Sequence, residues 1–266
     1  MIEIRSCVGF DELQACVDLQ AATWGYDAIE VEPRKVFHVN QQAGGQVIGA
    51  FDAELSAASD AGRLVGFAMA VPGIKSRPGE APTPYLHSHM LAVRPGYRNH
   101  GLGARLKRFQ RDEALSRGLR HMEWTFDPLE IKNAYLNIHK LGAVIRHYRA
   151  DFYGVSSSRL QAGLPTDRLL AEWTMDAARV RQALAGTAGP ACAIEERILV
   201  PAAIYTWKDS DESRPRALAV QQENRRKFQQ AFARGLAVVG FSLDADKNGI
   251  YELGRLAAGS LDPQDC

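Results

Sequence analysis

The positions of apolar residues along the chain predict alternating strands and helices in its first half. Alternating or continuous apolar runs predict strands at 1–5, 46–52, 64–71, 87–93 and 119–126. Apolar residues spaced three or four apart predict helices at 10–24, 102–115 and 131–141. We therefore expect a mixed α/β domain in this part of the chain.

The second half carries the same mixture of patterns. Strands are predicted at 169–175, 194–200, 235–243 and 250–253, with a long helix at 214–234. Asn248-Gly249 between the last two strands predicts a hairpin turn. The run Ser156-Ser157-Ser158 marks a boundary, so we expect a catalytic domain over 1–155 and a smaller C-terminal α/β extension over 156–266.

Composition excludes several classes of protein. The formal net charge of +1 gives no basic field for nucleic acid, and Lys107, Arg108 and Arg111 are expected on a solvated helix face. No apolar run has the length of a membrane span, and the N-terminal residues predict a strand, not a signal peptide. The cysteines have no motif spacing, which suits a reducing cytosol and predicts a cytoplasmic protein.

No metal site is predicted. Asp244-x-Asp246-x-Asn248-Gly249 begins like a calcium loop, but its twelfth position is Arg255 where a bidentate Glu is required. Two histidines two residues apart, His87 and His89, lack a third ligand at a recognisable spacing.

A glycine-containing loop follows the predicted strand 87–93. Gly101 and Gly103 have no Cβ, so the backbone turns tightly and its N–H groups come close to a bound anion. The loop lacks the three glycines of a dinucleotide fingerprint and the Gly-Lys-Ser/Thr of a Walker loop. It therefore predicts a phosphate site of another kind, and a plain turn is the alternative.

Three motifs in series resemble the GNAT superfamily of N-acyltransferases: Leu-Ala-Val at 91–93, Arg-x-x-Gly-x-Gly at 98–103 and Lys-Leu-Gly at 140–142. The resemblance covers roughly residues 1–155. It implies an α/β (α+β) fold with a mixed, mostly antiparallel central sheet, splayed at the acyl-CoA site, plus a smaller C-terminal unit. The block 124–130 and Gly-Leu-Pro-Thr-Asp-Arg at 163–168 resemble a bacterial subgroup of predicted acetyltransferases with a C-terminal extension.

The resemblance implies acetyl-CoA, or another acyl-CoA, as cosubstrate. The strand before the loop is expected to meet the pantetheine arm and the loop N–H groups to hold the pyrophosphate. The cofactor-binding residues implied are Met90, Leu91, Ala92, Val93, Arg98, Asn99, His100, Gly101, Leu102, Gly103, Ala104 and Asn133. Asn133 lies two positions later than the Asn common in the family.

Acyl transfer to an amine requires a base, because only the neutral amine attacks the thioester. His87 and His89 lie two apart on a strand, so their imidazoles share one face and suit proton uptake near neutral pH. Arylalkylamine N-acetyltransferases carry a His-x-His pair at this register, which favours His87 as base and His89 as partner or second relay. The alternative is two half-buried histidines that line a polar cleft.

The departing thiolate of coenzyme A is expected to need a proton donor, and the usual one is missing from this sequence. Many family members carry a Tyr near the CoA sulfur where this chain has Ile138, so Tyr135 and Asn137 are the candidate donors. Tyr135 is expected on nearly the same helix face as Ile138, and core packing is its alternative role.

The substrate-side candidates are Trp24, Tyr26, Trp124, Asp127 and Glu130. Core packing of the aromatics and helix capping by Asp127 are the alternatives. The expected acceptor is a small-molecule amine or an amino acid. Some relatives are thought to succinylate amino acids, so a succinyl-CoA-dependent enzyme is one alternative and a non-catalytic acyl-CoA-binding module is another. Dimers are common in the family, so the resemblance also allows a homodimer.

Overall fold

The computed structural model describes residues 1–57, 59–76, 79, 81–187 and 192–256. The chain forms two compact units, which both combine strands with helices. Unit 1 comprises Met1–Glu123 and Ser157–Leu160, and unit 2 comprises Trp124–Ser156 and Gln161–Cys266. This division lies within the predicted strand 119–126, whereas the serine run suggested a boundary after residue 155. The expected α/β class is confirmed.

Unit 1 contains a sheet with the strand order β1-β2-β3-β4-β5. The strands are β1 (Ile2–Ser6), β2 (Gln46–Asp52), β3 (Leu64–Lys75), β4 (Thr83–Val93) and the beginning of β5 (His121–Phe126). Pairing is antiparallel from β1 to β4 and parallel between β4 and β5. The helices are α1 (Gly9–Trp24), α2 (Arg34–Gln42) and α3 (Leu102–Ser116).

The helices of unit 1 cover both faces of its sheet. Met90 of β4 packs with Leu13 of α1 and Phe37 of α2 in one buried cluster. Val93 of β4 packs with Leu106 of α3 in a second cluster. The side chains of β4 therefore pack against α1 and α2 on one face of the sheet and against α3 on the other.

A β-bulge in β4 resets that alternation. Met69 of β3 pairs with Met90, but the next residue, Ala70, pairs with Ser88, so His89 is an extra residue in the strand. Met90 packs against α1 and α2, whereas Ser88 contacts α3. Without the bulge these two residues would point the same way, because side chains alternate along a regular strand.

Unit 2 contains β6 (Val144–Arg149), β7 (Arg168–Thr174), β8 (Glu196–Val200), β9 (Ala237–Leu243) and β10 (Gly249–Gly254). Their order is β7-β6-β9-β10-β8, with antiparallel pairing between these neighbours. The helices are α4 (Ile131–Ala134), α5 (Ala178–Ala185), α6 (Ile204–Lys208) and α7 (Arg214–Ala233). A π-helical turn, Tyr135–Lys140, continues α4.

The predicted hairpin between β9 and β10 is confirmed. Asp244 accepts hydrogen bonds from the backbone N–H groups of Asp246 and Asn248. The Asn248 Oδ1 atom accepts a further one from the N–H of Ala202. The residues whose spacing resembles a calcium loop therefore form a turn, in which the Asp244 carboxylate accepts hydrogen bonds from backbone N–H groups.

The predicted helix 131–141 differs in form from the expectation. After Ala134 the helix widens, and the N–H of Leu141 donates to the carbonyl of Leu136, five residues earlier. Because this turn is wider than that of an α-helix, residues three apart no longer lie on nearly the same face.

Candidate active site

The two predicted histidines lie on one face of β4. Their ring centroids are 6.3 Å apart, at an interplanar angle of 42°. His87 pairs in register with Glu123 of the parallel strand β5. Among the described residues, the register pairs between β4 and β5 are Leu86 with Met122 and His87 with Glu123. The histidines therefore lie where this short parallel pairing ends.

Glu123 is a buried carboxylate that the sequence did not single out. Its side chain forms an ion pair with the ammonium group of Lys75 at the end of β3. The Lys75 Nζ atom also lies 5.1 Å from the ring centroid of Tyr85. Burial and the neighbouring Glu123 raise the pKa of the Tyr85 hydroxyl, which therefore stays protonated at neutral pH. A signal for Glu123 exists only once β5 is placed beside β4.

Both imidazoles are held in the neutral form. Burial lowers the pKa of His87, and the positive charge of a protonated His89 acts in the same direction, while Glu123 opposes it. Burial also lowers the pKa of His89, and Glu32 opposes that effect. Because the ordinary pKa of histidine is about 6.5, both rings are neutral at pH 7 and are able to accept a proton.

A second polar group lies on the opposite face of β4. Ser88 accepts a hydrogen bond of 2.7 Å from Lys107 Nζ of α3 and donates one of 3.1 Å to Gln110 Oε1. Lys107 is buried, which lowers its pKa well below the ordinary value. From the sequence, this lysine was expected on a solvated helix face. Its charge also lowers the pKa of His87.

The loop before α3 has the backbone of an anion site. Asn99 has φ 64° and Gly101 has φ 78°, both in the left-handed region. Helix α3 begins at Leu102, and among the described residues no side chain caps its N-terminus. The N–H groups of the first turn precede the first intrahelical donor, Arg105, which bonds to the Gly101 carbonyl. Such N–H groups and the helix dipole favour a negative charge.

Side-chain contacts with the ends of β2 and β4 hold this loop in place. Arg98 Nε donates a hydrogen bond of 2.9 Å to the carbonyl of Val93 at the end of β4. The hydroxyl of Tyr97 donates one of 2.7 Å to Asp52 at the end of β2. The loop residues predicted to bind the cofactor are exposed from Arg98 to Gly101, whereas Leu102 is buried. The predicted pantetheine contacts at Met90–Val93 have side chains that are mostly buried, which leaves the strand backbone as the group to meet a ligand.

Two substrate-side candidates form a stacked pair in unit 1. The rings of Trp24 and Tyr26 have centroids 5.9 Å apart and an interplanar angle of 7°. The carbonyl of Trp24 accepts a hydrogen bond from the N–H of Arg159, and the N–H of Asp27 donates to Ser157. The segment Ser157–Leu160 thus supports the loop after α1.

The remaining candidates in unit 2 already have structural partners. Trp124 packs edge-on against Trp173, with ring centroids 5.6 Å apart. Asp127 Oδ2 and Glu130 Oε1 lie 3.1 and 3.0 Å from the Nζ atom of Lys208, a buried residue that sequence reasoning missed. Asp127 also accepts a hydrogen bond from the N–H of Leu129, in the turn before α4, whose N-cap residue is Glu130.

Charges within this triad shift its pKa values. Burial alone lowers the pKa of Lys208, but Asp127 and Glu130 outweigh it, so that this pKa is raised. Burial raises the pKa of Glu130, and Lys208 only partly opposes the effect. The triad is therefore a buried ion cluster in which the lysine carries the positive charge.

The π-helical turn separates the candidate acid from Ile138. Ile138 is buried in unit 2, whereas the half-buried ring of Tyr135 stacks on His139 with centroids 4.5 Å apart. The expectation that Tyr135 and Ile138 share a face is therefore wrong, because the wider turn places them apart. Asn137 is buried, and Asn133 is exposed.

The described ranges contain neither a membrane-spanning helix nor a cluster of metal ligands. No helix there is long and apolar enough to cross a membrane. No group of three or more His, Cys, Asp or Glu side chains in those ranges has an arrangement that would hold a metal ion.

Comparisons with known proteins point in one direction. Residues 13–136 match the acetyltransferase (GNAT) family. The crystal structure of Arabidopsis thaliana NAA60 in complex with acetyl-CoA matches with a TM-score of 0.53 at 14% identity, covering 65% of this chain and 98% of that chain. The same protein with a bisubstrate analogue gives 0.50 at 15% identity, covering 65% and 98%.

A bacterial structure shows a similar extent of overlap. The ribosomal-protein-S18-alanine N-acetyltransferase from Escherichia coli has a TM-score of 0.48 at 18% identity, covering 66% of this chain and 94% of that chain. No curated protein in the comparison matches the chain. At these identities the likeness to solved structures concerns the fold.

Proposed function

We propose that the protein is an N-acyltransferase that acetylates the amine of a small molecule or an amino acid, because residues 13–136 match the acetyltransferase (GNAT) family. Acetyl-CoA is the proposed donor, since the matched Arabidopsis structure is a complex with acetyl-CoA. The acyl group passes directly to the amine while donor and acceptor are bound together.

One observation carries the proposal: the uncapped N-terminus of α3 opens directly from the loop that follows β4. Gly101 lies in the left-handed region, directly before the first N–H groups of the helix, which no side chain caps among the described residues. Those groups favour the doubly charged pyrophosphate of coenzyme A. The strand before the loop also carries both histidines, so anion site and base lie on one continuous segment.

His87 is the proposed general base. Its imidazole is neutral at pH 7, it lies at the end of the β4–β5 pairing, and its register partner is a carboxylate. It takes a proton from the acceptor nitrogen, directly or through a water, as the nitrogen attacks the thioester carbon.

Tyr135 and Asn137 are retained as proposed donors to the departing thiolate. Tyr135 is half-buried and has a hydroxyl group that could donate a proton, whereas the side chain of Ile138 has none. A thiolate is a good leaving group, so the reaction also proceeds with only a weak acid. Asp127, Glu130 and Trp24 remain proposed contacts of the acceptor.

A thiol-release assay tests this function. The protein is mixed with acetyl-CoA or succinyl-CoA and a panel of amines, amino acids and short peptides, and free CoA thiol is measured. We expect turnover with acetyl-CoA and a small amine or amino acid. Faster turnover with succinyl-CoA would replace the donor, and coenzyme A binding without turnover on any acceptor would contradict the proposed function.

A further inference from the structure

A carboxylate that the sequence did not single out lies beside His89. Glu32 Oε1 is 3.8 Å from His89 Nε2. Roughly a third of each side chain is exposed, 32% for His89 and 38% for Glu32, so the pair borders solvent or a bound ligand. Glu32 belongs to the loop between α1 and α2, which also carries Tyr26, the residue stacked on Trp24 at the end of α1.

The backbone of Glu32 is held by one dedicated side chain. Gln20 of α1 is fully buried, and its Oε1 atom accepts a 2.9 Å hydrogen bond from the N–H of Glu32. Its Nε2 atom donates a 3.1 Å hydrogen bond to the carbonyl of the same residue. Pro33 follows and restricts the preceding residue to extended conformations. The fold therefore fixes the position from which the Glu32 side chain starts.

The position of His89 is fixed by a separate feature, the β-bulge in β4. The β-bulge inserts His89 between residues that face opposite sides of the sheet. Bulges commonly re-aim a side chain near active sites. Two independent features, one in β4 and one in the α1–α2 loop, thus bring a histidine and a carboxylate together.

We infer that Glu32 is a positioning residue for His89 and that His89, held by Glu32, is a second proton acceptor beside His87. This inference rests on the proposed acyl transfer. The Glu32 carboxylate, 3.8 Å from Nε2, favours the tautomer that carries its proton on Nε2, which leaves Nδ1 of His89 as the basic nitrogen. Carboxylates fix the tautomer of catalytic imidazoles in the same way.

The proton balance of the step is simple. The acceptor arrives as an ammonium ion, one of its N–H bonds breaks, and the electron pair stays on nitrogen. The proton passes to Nδ1 of His89, directly or by way of His87, and the resulting imidazolium is stabilised by the negative charge of Glu32. The neutral amine is then free to attack the thioester carbon, and no other bond changes in this step.

Glu32→Gln is the decisive variant, because it keeps the side-chain shape and the backbone contacts with Gln20 while removing the charge. The groups facing His89 are His87 on its own strand and Glu32 on the packed loop. Loss of Glu32 leaves burial unopposed, so the pKa of His89 should fall further, which imidazole NMR titration reads without any turnover. Glu32→Asp keeps the charge, and Glu54→Gln removes an exposed charge elsewhere in unit 1 as the matched control.

With an acceptor identified by thiol release, we expect Glu32→Gln to lower kcat at least about tenfold, within the range of acid–base effects. Glu32→Asp should restore most of the rate, and Glu54→Gln should retain it. In a His89→Gln background, Glu32→Gln should add no further loss, as expected for residues that act as one unit.

The outcomes separate this inference from the function on which it rests. A wild-type rate or an unchanged His89 titration in Glu32→Gln overturns the inference alone, as does an additive loss in the double variant. Absence of turnover with every acceptor overturns the acyl-transfer proposal and the inference with it, whatever the titration shows.

Discussion

His87 of β4 and Glu123 of β5 are register partners at the end of a parallel strand pair, so an imidazole has a buried carboxylate as its neighbour. Lys75 pairs with the same carboxylate from β3. Beyond the effect of burial, Glu123 and Lys75 act on the pKa of His87 in opposite directions, and each charge is removable by substitution.

Glu123→Gln and Lys75→Met should shift the titration of His87 in opposite directions. The negative charge of Glu123 raises the pKa of His87, so its removal lowers that pKa. Lys75 lowers the pKa of His87, so Lys75→Met raises it. Imidazole NMR titration measures both. Shifts of the same sign would show that structural rearrangement, not charge, controls this histidine.

The pH profile of kcat/KM should have its acid limb below pH 6.5. A base must be deprotonated to act, and burial lowers the pKa of His87 below the ordinary 6.5. Activity is therefore retained as the pH falls through 6.5 and is lost only at lower values. The Glu123→Gln variant should move this limb to still lower pH. An acid limb above pH 6.5 would assign the base to another group.

His87→Ala should lower kcat at pH 7 by roughly 10²- to 10⁴-fold, the usual contribution of a general base. The affinity for acetyl-CoA, measured by calorimetry, should remain within about twofold, because the anion site on α3 is untouched. His147→Ala, at an exposed position of β6, is the matched control. An unaltered rate in His87→Ala would return this histidine to a structural role.

Gly101→Ala should weaken acetyl-CoA binding by roughly three- to tenfold. A Cβ at Gly101 meets no atom within 4 Å, so the cost comes from its φ of 78°, about 1–2 kcal/mol for an L residue in this region. The strained loop is expected to relax away from the binding conformation. Gly96→Ala, in the same loop and also without a close contact, is the control. Equal affinities for both variants would argue against the anion site.

Lys208→Met should cost about 3–5 kcal/mol of unfolding free energy at pH 7, because it leaves Asp127 and Glu130 buried without their cation. The difference in unfolding free energy between this variant and the native protein should become smaller as the pH falls and the carboxylates become protonated. In the native protein the raised pKa of Lys208 means that its contribution is complete below the ordinary lysine value and is lost as the pH rises through the raised one. Arg226→Met, at an exposed ion pair, should change little. Urea denaturation across pH compares the two.

The sequence predicted those elements that carry a strong local signal. Helix α1, strand β2, helix α3 and the β9–β10 hairpin begin and end within one or two residues of their expected limits. Helix α2 was missed because its nine residues include few apolar ones and no capping side chain. The π-helical turn was missed because its residues have ordinary helix-forming character and only the hydrogen bonds reveal the widening.

The candidate site shows the same limit. The histidine pair and the glycine loop lie on one short stretch of the chain, so local spacing and the family resemblance were enough to propose them. Glu32 and Glu123 are distant from the histidine pair in the chain, and they come next to His89 and His87 only when strands and loops are placed. The pairing of Lys75 with Glu123 likewise depends on the fold. Lys107 was misjudged because a lysine on a helix is normally solvated, and here Ser88 of β4 accepts its hydrogen bond.

The bulge in β4 makes the site sensitive to chain length in a way that composition does not show. Deleting His89 would restore regular alternation with Ser88 still opposite Ala70 and His87 still opposite Val71, so His87 would keep its face of the sheet. The shortened strand would thus lose the imidazole beside Glu32 and keep the one opposite Val71. Searches for similar sites in other proteins should count positions outward from such an insertion, not from the strand end.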